Sequence, residues 1–327
     1  MTRKRSERPR RTPRSIFLLL LLSSSFAAAA DLPNVSCPGA LAAAIPARPS
    51  SSPDGTQFAR QISHGETKER ERAIEGELLR GNLPDFLREL KPVTLESRLP
   101  SGRKVTATIC VLPDYLAVGS DEDFLRVPMD LHTATSVAGR FGFALPTRRM
   151  VDAIYAQSDA KLAPEPMAAG PQMSSTAYYV THNDRISVQR AALEAPPGAL
   201  LAGHKKDVVL TGRLASQTGK IAIYGWHRPG GRPIQPLSTV HGAGYADYSH
   251  GIRLVSGVVF VDGAATSLAS VLRDPELASV LSDEGPLPDL GELMPVAPTP
   301  VAGLKDAVAK RAGTAADRPA RRAGTSG

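Results

Sequence analysis

Apolar positions along this chain change their period more than once. Residues 66–79 are charged and helix-favouring, with Gly81 placed to stop the helix, and Pro84 opens a further short helix ending near Leu90. At residues 104–112 the period drops to two. Val105, Ala107, Ile109 and Val111 alternate with Thr106, Thr108 and Cys110, the pattern of a half-buried strand. Residues 115–118 read as a second strand after the Pro113-Asp114 turn. Helical spacing returns with Leu131, Ala134, Val137, Ala138 and Phe141, closed near Gly142. Thr147 is placed to cap the next helix, which carries Met150, Val151, Ile154 and Tyr155 on one side. His132 and the pair Arg148-Arg149 then fall on solvated helix faces.

Residues 163–173 hold three prolines and read as a surface loop. Beyond it come short β-rich runs at 177–180, 207–210, 220–224 and 252–261, separated by Pro, Gly and Asn. His182-Asn183-Asp184-Arg185 reads as a turn before a helix, the alternative being a contribution to the candidate cleft, and residues 267–272 and 275–281 as two short closing helices. The pattern predicts an α+β fold: a single domain over residues 58–285, with helices mainly in the first half and a small mixed or antiparallel sheet in the second. Residues 31–57 form a Pro/Ser-rich arm in this reading. Residues 286–327 form a disordered, Pro/Ala-rich basic tail.

The two ends change the picture of charge and compartment. Arg3, Lys4, Arg5, Arg8, Arg10, Arg11 and Arg14 precede an apolar run at 16–22, with Ala28 and Ala30 before Asp31. Residues 1–30 therefore read as a signal peptide, and the chain as exported, periplasmic or secreted. The apolar run is much shorter than the roughly 20 residues a bilayer span needs, so no stable membrane span is expected after cleavage. Of the formal net charge of +7, the leader holds +6 and residues 304–327 hold +4, leaving −3 for residues 31–303. A slightly acidic body lacks the electrostatic footprint for phosphate backbones, which argues against nucleic acid as a partner. The mature chain has two cysteines, Cys37 and Cys110. In an exported protein such a pair is expected as a disulfide, the alternative being two buried thiols.

Candidate chemistry is concentrated in residues 203–254, which hold four of the seven histidines, the single tryptophan and three of the seven tyrosines. His204, Asp207, His227, His241, Asp247 and His250 are the catalytic candidates; Tyr224, Trp226, Tyr245, Tyr248 and Arg253 are the substrate-binding ones. His241, Asp247 and His250 offer two imidazoles and a carboxylate, a possible zinc-ligand set with an open fourth position. The same groups also make a metal-free acid–base site with Asp247 orienting an imidazole, or simply hydrogen-bonded structural histidines. Short strands joined by glycine-rich turns predict that His204, His227, His241, Asp247 and His250 meet in one pocket. Ser249 has no Gly-x-Ser-x-Gly surroundings, which speaks against a serine nucleophile.

The blocks Gly203-His204-Lys205-Lys206-Asp207, Ile223-Tyr224-Gly225-Trp226-His227, Pro233-Ile234-Gln235-Pro236-Leu237 and Asp247-Tyr248-Ser249-His250-Gly251 resemble those of an uncharacterised family of exported bacterial proteins. That resemblance implies no activity. His241 to Asp247 with Trp226-His227 is loosely similar to zinc D-Ala-D-Ala-type peptidases, but in reversed block order and with different His-to-Asp spacing. The strands at 207–210 and 220–224 are similar to those of NlpC/P60 cell-wall peptidases, yet Lys220 stands where that family has histidine. These features lead to the expectation of a hydrolase acting on a cell-envelope or extracellular polymer, peptidoglycan or polysaccharide. The competing expectation is a non-catalytic carbohydrate- or envelope-binding protein with an aromatic platform.

Overall fold

Capping and periodicity set most of the helices. In the computed structural model, which describes residues 35–288 and 290–293, five α-helices precede residue 193: α1 (Gly55–Gln61), α2 (Thr67–Leu79), α3 (Leu131–Phe141), α4 (Arg148–Gln157) and α5 (Thr176–Ala192). Two more, α6 (Leu268–Arg273) and α7 (Ala278–Leu281), close the described chain. Asp130 caps α3 by accepting from the Thr133 amide, and Gly142 ends it in the left-handed region at φ 75°, where a side chain is disfavoured. Thr147 caps α4 as its position predicts. None of the helices among the described residues is long and apolar enough to cross a membrane.

Strands β1 (Lys91–Arg98) and β2 (Lys104–Val111) form an antiparallel hairpin, followed by the small hairpin β3 (Ala117–Gly119) and β4 (Phe124–Arg126). Short β5 (Phe143–Ala144), β6 (Ala160–Lys161) and β7 (Leu201–Ala202) lead to β8 (Lys206–Val208), β9 (Ile223–His227), β10 (Pro233–Ser238), β11 (His250–Gly251), β12 (Val255–Val261) and β13 (Ala264–Ser267). The larger sheet runs β1-β2-β12-β13 with β5 on β12. A second, mixed sheet runs β10-β9-β8-β11, with β11 parallel to β8 and the other pairs antiparallel. The fold is α+β, with helices mainly in the first half, as the periodicity predicts. The larger sheet nevertheless takes its first two strands from that half.

Strand β2 departs from simple alternation. Val105, Ala107, Ile109 and Val111 are buried, but so are Thr108 and Cys110. The cause is the segment before α1. Leu41 packs with Cys110 and Phe260 on the opposite sheet face, and Cys37 is joined to Cys110 by a disulfide, Cα–Cα 5.7 Å. Arg48 fastens the same segment through bonds to Asn82 Oδ1 (2.9 Å) and the Gly119 carbonyl (3.1 Å). The strand read at 177–180 and the turn at 182–185 are corrected: both lie inside α5, which Ser175 caps by accepting from the Tyr178 amide. Tertiary packing of Tyr179, His182 and Ile186 overrides the strand-like composition. Residues 1–30, read as a signal peptide, and most of the segment read as a basic tail lie outside the described residues.

Two outcomes follow from this packing. Replacing both cysteines by serine opens a crosslink spanning 73 residues, and should lower stability by roughly 4 kcal/mol in the chain-entropy model; denaturant unfolding of oxidised protein and the double variant reads this directly. The second concerns Glu71 on α2, buried with one carboxylate oxygen accepting from the Asp130 amide. Burial, with help from the Asp130 charge, pushes its carboxyl up to about 7 from 4.5. A raised folded value means its stabilising contribution is complete below pH 4.5 and lost as pH rises through 7. Glu71→Gln should therefore match the native protein at pH 4 and exceed it by on the order of 3 kcal/mol at pH 8. Equal stability differences at both pH values in thermal melts would refute the shift.

Candidate functional site

Residues 239–251 are held by three hydrogen bonds from two segments. The Leu131 amide at the start of α3 donates to the Ala243 carbonyl at 2.9 Å; Ser174 Oγ, just before α5, donates to the Ala246 carbonyl at 2.8 Å; and the Tyr248 amide donates to the Met173 carbonyl at 3.0 Å. Strand β11 then pairs in parallel with β8, setting His250 opposite Lys206 and Gly251 opposite Asp207. Gly251 is required there, since a Cβ would lie 2.6 Å from the Tyr115 ring.

This framework brings together part of the predicted constellation. His241 and Tyr245 stack with ring centroids 4.2 Å apart, both half-buried, and form the rim. His250 lies beneath, 6.2 Å from the His241 ring and 5.7 Å from that of Tyr245. Its Nε2 stands 3.9 Å from Asp247 Oδ2. The Asp247 carboxylate accepts from the Ser249 amide (2.8 Å), Ser249 Oγ (2.5 Å) and Tyr245 OH (3.1 Å). Burial lowers the affinity of His250 for a proton, so the ring is neutral at pH 7. Against the upward push of burial, the neighbouring His250 and the Ser249 donors hold the Asp247 carboxyl below its ordinary value. Burial together with Asp247 pushes the Tyr245 phenol up to about 12, keeping it a proton donor. Neither ring nitrogen of His250 has a hydrogen-bond partner among the described residues, although the residue is fully buried.

The other predicted residues join different groups, which corrects the expectation of one shared pocket. His204 donates from Nε2 to Asp114 at 3.1 Å, inside a buried network with Arg126 and Asn183. Burial pushes this imidazole down to about 4. Asp207 accepts from Tyr115 OH at 2.9 Å, and burial raises its carboxyl to about 6. Arg253, expected to face substrate, is 1% exposed and donates to the Leu112 and Leu201 carbonyls at 2.8 and 2.6 Å, so its guanidinium ties backbone segments together. His227 turns to α4: its Nε2 is 2.9 Å from Asp152 Oδ1, which also accepts from Tyr224 OH, and its ring stacks on Tyr155. The geometric reason is the irregular backbone at Gly225 (φ 104°) and Trp226 (φ 57°), which sends successive side chains of β9 to different neighbours.

The aromatic residues do not form an open wall. Tyr224, Trp226 and Tyr248 are 7, 5 and 2% exposed, leaving Tyr245 as the predicted aromatic that reaches the surface. No group of three or more His, Cys, Asp or Glu side chains among the described residues is arranged to hold a metal ion, His241, Asp247 and His250 included.

Two contributors, Ser174 and Lys205, were missed in the sequence, and His182 was read only as an alternative. Ser174 stands in a proline-flanked loop with no motif around it. Lys205 and His182 form a buried contact, Nζ to Nδ1 at 3.3 Å, and Lys205 also donates to the Tyr248 carbonyl at 2.6 Å. Burial lowers the Lys205 ammonium to about 7. The Lys205-Lys206 doublet was the available signal: one lysine at each period-two position of a buried strand needs a reason on both faces.

No known protein family, curated protein or solved structure matches this chain.

The contrast between His204 and His250 is measurable as stability. His204→Leu removes a donor from a buried carboxylate and should cost about 1–3 kcal/mol. His250→Leu removes a buried ring that makes no hydrogen bond, and should leave the melting temperature unchanged or raised, the mark of a group kept for function. Equal losses in the two variants would assign both histidines a structural role.

Proposed function

We propose that this protein is an exported hydrolase acting on a cell-envelope or extracellular polymer, with His250 as general base, Asp247 as its electrostatic partner and Tyr245 as proton donor. The observation that carries this reading is the His250 imidazole, fully buried and neutral, with both nitrogens unpartnered beneath a half-buried His241–Tyr245 rim. An unpaired buried polar ring costs on the order of 1–3 kcal/mol. A structural histidine would be expected to bond as His204 does.

In this mechanism neutral His250 takes a proton from the attacking water, and the ionised Asp247 carboxylate, 3.9 Å away, favours the imidazolium that forms. Tyr245, neutral and pointing its hydroxyl at Asp247, is placed to protonate the departing group once substrate draws it away. His241, its proton affinity lowered by burial, packs on Tyr245 and screens the reacting centre from solvent. The scheme is metal-free. Compartment is supported by the Cys37–Cys110 disulfide together with the basic–apolar leader composition. The binding-module alternative relies on an aromatic platform, and three of the four aromatics it needs are covered.

Turnover of purified peptidoglycan and of a polysaccharide panel tests the proposal, with soluble reducing ends and free amines as readouts. His250→Gln should reduce turnover at least 100-fold, in the range of lost general-base catalysis, with an unchanged melting temperature. Tyr245→Phe should reduce it by a smaller factor. Because burial lowers the His250 value, the acid limb of the pH–rate profile should fall below pH 6.5. Polymer binding by the native protein with no cleavage would instead establish the binding-module reading, and an acid limb above pH 6.5 would remove His250 from the role of base.

A further inference from the structure

We propose that Lys206 and the indole N–H of Trp226 form an anion-binding subsite beside the Asp247–His250 centre, so that the polymer it takes carries a negative charge next to the scissile bond. The inference rests on the reading of that centre as a polymer site and names the class of polymer.

Three observations lead to it. The first is register. Lys206 is the direct partner of His250 across the parallel β8–β11 pair, and partners in register project to the same face of a sheet. The Lys206 side chain is therefore carried by the same strand pair, and on the same face, as the proposed base. Its ammonium adds to the field that lowers the proton affinity of His250 and His241.

The second observation is an ammonium without a contact ion pair, attracted by Asp247 only at longer range. Lys206 is half-buried, and no carboxylate among the described residues lies within ion-pair distance of it. The nearest acidic group in the site, Asp247, is already filled by Tyr245 and Ser249 donors. Instead the ammonium sits 5.1 Å from the centroid of the Trp226 ring. A cation–π contact stabilises a cation by only about 0.5–2 kcal/mol and leaves its N–H donors open to an acceptor. On the other side of the same doublet, Lys205 is fully engaged with His182 and the Tyr248 carbonyl.

The third is the tryptophan itself. Trp226 is buried, yet its Nε1 has no acceptor among the described residues. Its backbone also lies in the left-handed region at φ 57°, which costs a bulky residue on the order of 1–3 kcal/mol. Packing alone does not account for an indole that is both strained and unpaired. An acidic oxygen held by Lys206 at the indole edge would fill both open donors. The group it belongs to is a carboxylate or a phosphodiester on the polymer.

The test is equilibrium binding of the mature protein to four forms of peptidoglycan: with free carboxylates intact, with them amidated, carrying covalent polyol-phosphate chains, and after acid removal of those chains. The native protein should bind one charged form at least ten-fold more tightly than its neutralised counterpart, and which pair discriminates identifies the anion. Lys206→Met should reduce that ratio to about one, Lys206→Arg should restore most of it, and Trp226→Phe should lower it several-fold. Equal affinity of the native protein for the charged and neutral forms of both pairs overturns the inference, as does a correctly folded Lys206→Met that keeps the discrimination. Should that variant fail to fold, the native comparison across the four polymers decides alone. Binding is read without turnover, so discrimination without cleavage would sink the hydrolase reading while leaving this subsite in place.

Discussion

The buried pair of Asp114 and Arg126 is the interaction on which the geometry of this molecule depends. Arg126 reaches Asp114 Oδ2 through Nε and Nη2 at 2.9 and 2.6 Å, and both residues are 1% exposed. Taking two charges out of water costs several kcal/mol each, which their attraction offsets only when the remaining hydrogen-bonding capacity is also filled. Here it is. Asp114 Oδ1 takes the Tyr115 amide and His204, while Asn183 accepts from the Arg126 amide and from Nη1. Although burial alone would raise it, the Arg126 guanidinium and His204 hold the Asp114 carboxyl far below the ordinary carboxylate range. The partners come from the β2–β3 turn, the end of β4, the middle of α5 and the link into β8. One desolvated pair thus fixes four chain segments that sequence alone leaves independent.

That anchoring explains the division of labour among the histidines. His204 completes the network and is unavailable for chemistry. His227 is absorbed by α4 through Asp152 and Tyr155. His241 lies on a loop that leans on α3 and the start of α5, and His250 on β11 at its end, so their separation is set by elements fixed elsewhere. Such support is what a preorganised site requires, because side chains positioned before substrate arrives need no costly rearrangement during reaction.

Much of the helical part was legible. Thr147 and Gly142 mark their helix ends by local chemistry, and the apolar spacing of Leu131, Ala134, Val137 and Phe141 has a single solution. Helix α5 was not legible, because Tyr178, Tyr179, Val180 and Thr181 favour strands locally and His182-Asn183-Asp184 mimics a turn. What overrides that is tertiary, the packing of Tyr179, His182 and Ile186 together with Asn183 bonding to Arg126, 57 residues away in sequence. The site was half legible for a related reason. The 241–250 cluster is local, within reach of spacing arguments. The fates of His204, His227 and Arg253 depend on Asp114, Asp152 and the Leu112 and Leu201 carbonyls, none of which their own neighbourhoods announce.

The two adjacent residues Lys206 and Asp207 serve opposite sides of one strand. Asp207 faces Tyr115 and Arg253 within the interior, and Lys206 faces the reactive cluster. A shift of β8 by a single residue would exchange them, burying an ammonium in the network and presenting a carboxylate to His250. Insertions are therefore tolerable in the exposed turns at 215–218 and 229–232, but not between Gly203 and Val208. Across homologous chains, length variation should stop abruptly at that hexapeptide, whatever the surrounding loops have become.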